Sequence, residues 1–456
     1  AELYRAMGDY ARAEPLYRQA RDIFKKALGE THPDYAQTLN NLALLHHLMG
    51  DYTRAEPLYR QALDIKKQAL GEKHPDYAGS LNNLAGLYQS MGDYTRAEPL
   101  YRQALDIKKQ ALGEKHPDYA SSVINLAVLS MARNEPAQSL KRARQAVQIV
   151  RTHLELSASV QSERQQLRMK EQQSSYLDLF LSAAAAAKAP AEETYAEVFA
   201  SKGTVSLRQQ HMRQRRRKLI HGDPETARLY TNLEAATRRL ATLINTTPGP
   251  KQLADYRRRL DEANAEVERR QQDLAAASVA FRKELEQRRR TPDKLRQALP
   301  VGVALVDLVE YGHFTPQAKG PGTWERRLAA FVVRADRPVE WIDLGLTESL
   351  KEAVEQWRQG LPQRRKPVFG DDDPAVTLRE RLWEPLEPHL KDVVTVLISP
   401  DGEVARLPWG ALPGSTPDKY LLEERAIAVI AVPQFLPELL GGDQKADAGP
   451  PVLLLV

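Results

Sequence analysis

Three histidines stand at a fixed interval in the first third of the chain, each opening a His-Pro-Asp sequence. They are His32, His74 and His116, and successive members are 42 residues apart. An imidazole can ligate a metal ion, or it can cap the start of a helix by accepting a backbone N–H. The interval places each histidine in a different structural unit, too far from the others to share one ion. The sequence therefore predicts turn and cap residues here, and no metal site.

Side chains suited to covalent catalysis are scarce. The 456 residues contain no cysteine, which removes disulfides, thiolate zinc sites and a cysteine nucleophile from this stretch. His313, in a Gly/Pro loop, and His389, at the end of a helix, are predicted to be exposed and without a catalytic role. Asp371–Asp373 is interpreted as a solvated helix start, and Gly320–Gly322 lacks the Gly-Lys-Ser/Thr of a phosphate loop. We expect no catalytic residue and no cofactor.

Amide side chains recur on the first predicted helix of each 42-residue unit. The recurring asparagines are Asn40, Asn41, Asn82, Asn83 and Asn125. Amides that line a groove can bond the backbone of an extended, sequence-tolerant peptide. The alternative is that some of them bond neighbouring helices instead. His47 and Gln89 occupy equivalent positions in successive units and are weaker candidates for the same groove.

The element that positions these residues is a repeat. The stretch Met49–Ala78 recurs almost letter for letter as Met91–Ala120, and a diverged, shortened copy begins at Met7. A fixed period of this length indicates stacked repeats. Each unit is predicted to hold two helices, the first opening at a proline such as Pro33 and the second ending at a glycine such as Gly71, which are favoured residues at those positions.

Within each unit, small residues (Ala43, Ala55 and Ala62) alternate with large ones such as Leu39 and Tyr59. This pattern resembles the tetratricopeptide repeat, and the long unit with its LGxxHPD connector resembles the kinesin-light-chain variety. The resemblance covers about residues 1–150. It implies an all-α repeat solenoid that binds a protein or peptide on a concave face lined by the first helix of each pair.

Residues 151–299 are predicted to be helical, with heptad spacing in two stretches joined by a Pro/Gly turn. Leu229, Leu233, Ala236, Leu240 and Leu243 form the first stretch, and Leu253, Tyr256, Leu260, Ala263, Val267, Leu274, Ala277 and Phe281 form the second. We expect an antiparallel hairpin or coiled coil, which leaves self-association open.

The same region is basic. Residues 201–300 hold 23 Lys and Arg against 12 Asp and Glu, a net of +11 in a chain whose total is +5. The clusters Arg213–Lys218, Arg257–Arg259 and Arg288–Arg290 could bind a nucleic-acid backbone. No aromatic side chains are interleaved for base stacking, so a solvated helix face is the favoured interpretation.

Residues 300–456 form a third region, in which short apolar runs alternate with helices. The runs are VGVALVDLVEYG, RLAAFVVRAD, VEWIDLG, VVTVLIS, AIAVIAV and PVLLLV. Helices are predicted at Thr347–Gly360 and Asp373–Leu390, and YGHFTPQAKGPGTW is predicted to be a loop between the first two strands. Apolar strands with helical crossovers favour a mostly parallel α/β sheet.

The runs LPVGVALVDLVEY, VVTVLISPDGEVARLPWGALPG and YLLEERAIAVIAVPQFLPELL resemble the N-terminal part of a CHAT domain, a caspase-like module. The resemblance implies a cysteine endopeptidase. Its catalytic His and Cys are expected beyond the strand PVLLLV, so we expect an internal fragment of a longer protein with an incomplete caspase-like sheet.

Three functions follow as hypotheses. The first is a bacterial regulatory or defence-type effector in which a protein-binding array is coupled to a peptidase. The second is a non-catalytic interaction scaffold, and the third is an effector linked to nucleic acid through the basic helices. No run approaches the roughly 20 apolar residues of a membrane span. We therefore expect a cytoplasmic protein with no membrane partner.

Overall fold

The structure is a computed structural model. It describes residues 1–157, 163–202, 223–246, 248–279, 281–282, 285, 291–317, 322–360, 373–416 and 419–441. The chain divides into two compact units. One comprises Ala1–Ala183, Asp223–Ala277 and Phe314–Thr323, and the other comprises Ala184–Gly222, Ser278–His313 and Trp324–Val456.

The first unit begins with paired helices whose bounds follow the 42-residue period. They are α1 (Glu2–Ala6), α2 (Tyr10–Leu28), α3 (Pro33–Leu48), α4 (Tyr52–Leu70), α5 (Pro75–Ser90), α6 (Tyr94–Leu112), α7 (Pro117–Ala132) and α8 (Pro136–Ser157). Each first helix opens at its proline, whose missing N–H leaves no intrahelical bond unmade at that position. Each of the second helices α2, α4 and α6 is followed by a glycine with positive φ, such as Gly71 at +84°. The predicted two-helix unit is confirmed.

The small residues of the repeat lie where its helices meet. Ala43 and Ala85 on first helices, and Ala55 and Ala97 on second helices, are all fully buried. Tyr59 and its counterpart Tyr101 fill the space between these close approaches. The alternation of small and large side chains therefore sets the packing of the array.

Three more α-helices among the described residues belong to the first unit: α9 (Glu163–Ala186, of which residues up to Ala183 belong to this unit), α11 (Pro224–Ile244) and α12 (Leu253–Ala277). Helices α11 and α12 form an antiparallel hairpin. The Tyr256 hydroxyl donates to the Leu243 carbonyl at 3.2 Å, and Arg239 pairs with Glu266 at 2.9 Å.

Most of the predicted heptad residues form the buried seam of this hairpin. Those buried are Leu233, Ala236, Leu240, Leu243, Tyr256, Leu260, Ala263, Val267 and Leu274. Leu229 is only half-buried, and the adjacent Tyr230 is buried in its place. A helix of 3.6 residues per turn drifts relative to a 3.5-residue pattern, which is why the seam shifts at its end.

The second unit contains α10 (Ala191–Ser201), α13 (Pro292–Ala298) and a five-stranded sheet of order β3-β2-β1-β4-β5. The strands are β1 (Val303–Thr315), β2 (Thr323–Arg334), β3 (Glu340–Leu346), β4 (Thr395–Ser399) and β5 (Ala426–Val429). β4 runs parallel to both β1 and β5, whereas β2 and β3 are antiparallel. The predicted α/β sheet is confirmed, but it is mixed rather than mostly parallel.

Short helices surround this sheet, namely α14 (Glu348–Gly360), α15 (Pro374–Leu378), α16 (Leu421–Glu424) and α17 (Leu436–Gly441). The helix predicted over Asp373–Leu390 is wrong beyond its first turns, because a π-helical turn and a 3₁₀ turn follow α15. Two prolines in that stretch, Pro385 and Pro388, lack the N–H that a continuous α-helix requires. The core includes Trp357, Trp383 and Trp409.

The predicted loop between β1 and β2 is also shorter than expected. β1 continues through Thr315 and β2 resumes at Thr323, so the Tyr-Gly-His-Phe-Thr stretch is strand. Buried Tyr311 and half-buried His313 share one face of the strand with Val309, as the two-residue period of a strand requires. The strand prediction PVLLLV lies outside the described residues.

Candidate peptide-binding surface

The histidines of the three connectors cap the first helices, as predicted. His32, His74 and His116 each accept the backbone N–H of the aspartate two residues later, through Nδ1, at 3.0–3.1 Å. Each connector thus fixes the direction in which its first helix leaves the turn. Among the described residues, no group of three or more acidic or histidine side chains could hold a metal ion.

The recurring asparagines fall into two sets that differ in burial. Asn40 and Asn82 are buried between neighbouring first helices, where the Asn40 amide donates to Ser80 Oγ at 3.1 Å and the Asn82 amide to Ser122 Oγ at 2.9 Å. These contacts match the alternative interpretation, in which an asparagine bonds a neighbouring helix inside the array.

The second set lies one residue further along each first helix. Asn83 is exposed, whereas Asn41 and Asn125 are half-buried. A step of one residue turns the helix by about 100°, so these side chains point away from the interface that buries Asn40 and Asn82. Asn41, Asn83 and Asn125 therefore form a row on three adjacent first helices, where a ligand can reach them.

His47 and Gln89 lie at the far end of the same helices. His47 is half-buried, stacks edge-on against Tyr52 and Tyr59, and has its Nε2 2.8 Å from Ser90 Oγ on the next first helix. Burial lowers the pKa of His47, so its ring is neutral near pH 7. Gln89 is buried and accepts the Tyr101 hydroxyl at 3.1 Å. Both side chains already have partners within the array.

Two lysines on second helices, which no sequence pattern singled out, bond residues of the first helices that carry the row: Lys66 bonds α3 and Lys108 bonds α7. Lys66 is 6% exposed and donates to Gln37 Oε1 at 2.9 Å, and the Gln37 amide donates in turn to Asn41 at 3.1 Å. Lys108, the equivalent lysine one repeat later, is equally buried and donates to Ser121 Oγ at 3.0 Å.

These ammonium groups are charges with neutral partners. Burial lowers the pKa of both lysines. Asp76 and Asp34 partly oppose the shift at Lys66, and Asp118 and Asp76 do so at Lys108. The partners of the two ammonium groups among the described residues are the neutral oxygens of Gln37 and Ser121. The signal was present in the sequence as the repeated pair Lys66-Lys67 and Lys108-Lys109, but composition does not reveal which lysine of a pair points inward.

The connectors also hold the hairpin α11–α12. His74 Nε2 lies 3.1 Å from the Pro248 carbonyl, and His116 Nε2 lies 3.0 Å from the carbonyl of Ile244, the last residue of α11. In the opposite direction, Arg257 on α12 donates to the Lys109 carbonyl at 3.0 Å, in the last turn of α6. The hairpin therefore covers the edge of the array formed by these connectors. The row Asn41, Asn83 and Asn125 lies further along the first helices.

The basic cluster Arg257–Arg259 is largely paired. Arg257 lies 3.3 Å from Asp261, Arg258 pairs with Asp255, and Arg259 lies 4.0 Å from Asp255. These contacts spread the positive charge over a face of alternating sign. The clusters Arg213–Lys218 and Arg288–Arg290 lie outside the described residues.

In the second unit, His313 and His389 lie in different elements. His389 lies in a 3₁₀ turn and pairs with Glu340 at the start of β3, and His313 lies within β1. Both are half-buried, so the expectation that they are exposed is wrong. Asp373 caps α15 by accepting the Ala375 N–H at 2.9 Å, which is the predicted helix start. Asp371 and Gly320 lie outside the described residues.

A buried ion pair joins helix α10 to the sheet of this unit. The Lys202 ammonium contacts the carboxylate of Asp307 and also donates to the carbonyls of Leu308 and Ser399 at 2.7 and 3.0 Å. Tyr195 donates to the same carboxylate at 3.0 Å. Both carboxylate oxygens of Asp307 have partners, so this carboxylate links the end of α10 to β1.

Comparison with known proteins identifies two families in the chain. Family models match the tetratricopeptide repeat over residues 1–68 and 69–152 and the CHAT domain over residues 372–455. The chain therefore carries tetratricopeptide repeats followed by part of a CHAT domain. This combination supports a protein-interaction repeat array coupled to a CHAT domain. The comparison with curated proteins finds no match.

Solved structures that resemble part of the chain are kinesin-light-chain-like repeat proteins. BtubC (BKLC) from P. vanneervenii is 24% identical, and the match covers 46% of this chain and 78% of that one with a TM-score of 0.33. A Podosopora anserina protein described as a kinesin light chain with nearly identical TPR-like repeats is 23% identical, with coverage of 44% and 92% and a TM-score of 0.34. Among the described helices, none is long and apolar enough to cross a membrane.

Proposed function

We propose that the row formed by Asn41, Asn83 and Asn125, together with Lys66 and Lys108, binds an extended peptide segment of a partner protein. The supporting observation is the pair of buried ammonium groups. An ammonium that keeps a single neutral partner in a protein interior is held at an energetic cost, and the carbonyl or carboxylate oxygens of a ligand offset that cost. The asparagine amides would then bond the ligand backbone on both sides of each lysine.

The experiment replaces Asn41 and Asn83 with alanine in the whole chain. Peptides are first selected from a displayed random library against the unaltered protein, and the selected peptides are the probes. We expect the double variant to bind them at least about tenfold more weakly, because several hydrogen bonds of about 1 kcal/mol each are lost. Affinity is measured by titration with a labelled peptide.

The matched control replaces Gln61 and Gln68 with alanine, two exposed amides on second helix α4. This variant removes the same chemical groups from a different surface and should bind with unchanged affinity. Equal binding by the asparagine variant and the unaltered chain, with both folded by circular dichroism, would remove this surface from consideration.

We also propose that ligand binding by the array regulates a caspase-like cysteine peptidase of the bacterial effector kind. The support is the order of repeats, helical hairpin and CHAT-domain part along the chain. Such a peptidase requires a thiolate activated by a histidine and backbone N–H groups that hold the oxyanion. The 456 residues contain no cysteine, so the nucleophile must come from outside this sequence. A scaffold without catalysis is the alternative.

A further inference from the structure

The connector histidines are fixed in one protonation state by the bonds that their rings make. Nδ1 of His74 accepts a backbone N–H, so it carries no proton. Its Nε2 faces the carbonyl of Pro248, which can only accept, so Nε2 must carry the proton. His116 makes the same two kinds of bond, to Asp118 N–H and the Ile244 carbonyl. Both rings are therefore neutral, with the proton on Nε2.

The contact between the array and the hairpin is reciprocal at helix ends. His116 satisfies the carbonyl of the last residue of α11, and Arg257 of the hairpin reaches the Lys109 carbonyl in the last turn of α6. The last four carbonyls of a helix lack intrahelical partners, and His116 bonds one of these at the end of α11. The Lys109 carbonyl already accepts the Gly113 N–H at 3.1 Å, so Arg257 adds a second bond to it. The equivalent first-repeat histidine, His32, has the same cap but is about 42% exposed at its side chain.

We propose that the second and third His-Pro-Asp connectors form a docking edge for the hairpin α11–α12, and that His74 and His116 act as a latch that holds it only while both rings are neutral. A second proton would go to Nδ1, where it would face the backbone N–H of the cap. In the docked hairpin the ring cannot turn away from that N–H, whereas in the released array it can rotate into solvent. Acid therefore favours release.

The groups that surround each ring set the size of this effect. Around His116, burial lowers the imidazole pKa and Lys108 adds to the shift, whereas Asp118 and the bond to the Ile244 carbonyl oppose it. His153 on α8 interacts with His116, and burial lowers the pKa of His153 to about 4, so His153 stays neutral through the range of interest. The Asp76 carboxylate lies 3.9 Å from His74 Nδ1.

The test uses the absence of native cysteine. Lys115→Cys and Glu268→Cys place nitroxide labels on exposed side chains, one on a connector and one on α12, whose charged groups lie 3.8 Å apart. Dipolar broadening of the electron paramagnetic resonance spectrum then reports whether the hairpin is docked. We expect strong broadening near pH 7.5 and a docking constant about tenfold lower near pH 5, below the usual imidazole pKa but above those of most carboxylates.

The decisive variants are His74→Asn and His116→Asn. Asparagine retains the cap, because its Oδ1 accepts the same N–H, but its shorter amide does not reach the hairpin carbonyl and does not titrate. The double variant should show weak broadening at both pH values, and His32→Asn should behave like the unaltered chain. If the double variant does not fold by circular dichroism, His116→Asn alone serves. Broadening that is independent of pH in the unaltered chain, or equal loss with His32→Asn, would overturn the latch.

Discussion

Two lysines of the repeat array, Lys66 and Lys108, are buried at a cost in free energy. Lys66 and Lys108 could lie in solvent, as the adjacent Lys67 and Lys109 do, where each pairs with a glutamate five residues later. Instead each bends inward and keeps a neutral oxygen as its partner. Packing alone does not account for a charge at this position, since a methionine would fill the same space without desolvation. The ammonium charge, and not the volume of the side chain, is therefore what lysine adds at this position.

Replacing Lys108 with methionine should raise the free energy of unfolding by about 1–2 kcal/mol, because the cost of burying the ammonium disappears. The pKa of Lys108 is lowered by burial, so the unfolded chain binds more protons just below the normal lysine pKa, and stability of the unaltered protein rises with pH there. The variant should lose this rise. Urea unfolding at several pH values measures both effects.

Lys109→Met is the matched control for this substitution, since Lys109 is exposed and its surface ion pair contributes little. Equal stability of the Lys108→Met variant and the unaltered chain would mean that the ammonium reaches water. If Lys108→Met also lowers the affinity of the array for the selected peptides, Lys108 contributes to binding and lowers stability.

At the scale of helices and strands, the 42-residue period predicted the bounds and packing of the helices. It did not predict which of two neighbouring side chains on a helix is buried. The bounds of α3 and α5 follow from Pro33 and Pro75, and the packing follows from Ala43 and its counterparts. The sequence could not separate Asn40 from Asn41, because one residue decides whether a side chain enters a helix interface or leaves it. His313 was assigned to a loop because Gly and Pro surround it, although strand pairing outweighs that local signal.

The turn of the last repeat has a backbone conformation similar to that of the earlier repeats but a different residue. Asn134 has a φ of +59°, close to the +76° of its counterparts Gly50 and Gly92. An asparagine tolerates this left-handed region less well than glycine does. Asn134→Gly should raise the free energy of unfolding by a few tenths to about 1 kcal/mol, as measured by thermal denaturation.

The reverse substitution, Gly92→Asn, should lower the free energy of unfolding by a similar amount, and Asn134→Val should lower it further because a β-branched residue disfavours positive φ. Identical stability of Asn134→Gly and Asn134→Val would mean that the backbone at this turn differs from that of the other repeats.

The chain divides into two compact units. The first contains the array and the hairpin, and the second contains the sheet, whose helix α10 is tied in through Lys202 and Asp307. The order of array and CHAT-domain part was predicted from sequence. The three-part division at residues 150 and 299 stays a prediction, and so does contact with nucleic acid, since two of the three basic clusters lie outside the described residues.

The peptidase half of the proposal makes a prediction for the complete gene product. If the array regulates a cysteine peptidase, the coding region must encode a His-Gly sequence and a cysteine outside residues 1–456, because the thiolate and its base are both required. The complete protein should then cleave an unstructured substrate such as casein, and replacing that cysteine with alanine should abolish cleavage. Gel analysis over time, with and without a peptide selected on the array, measures activity and its control by ligand. A gene product without the pair, or cleavage that survives the alanine, would leave the repeats as an interaction scaffold and make the row of Asn41, Asn83 and Asn125 the main functional surface.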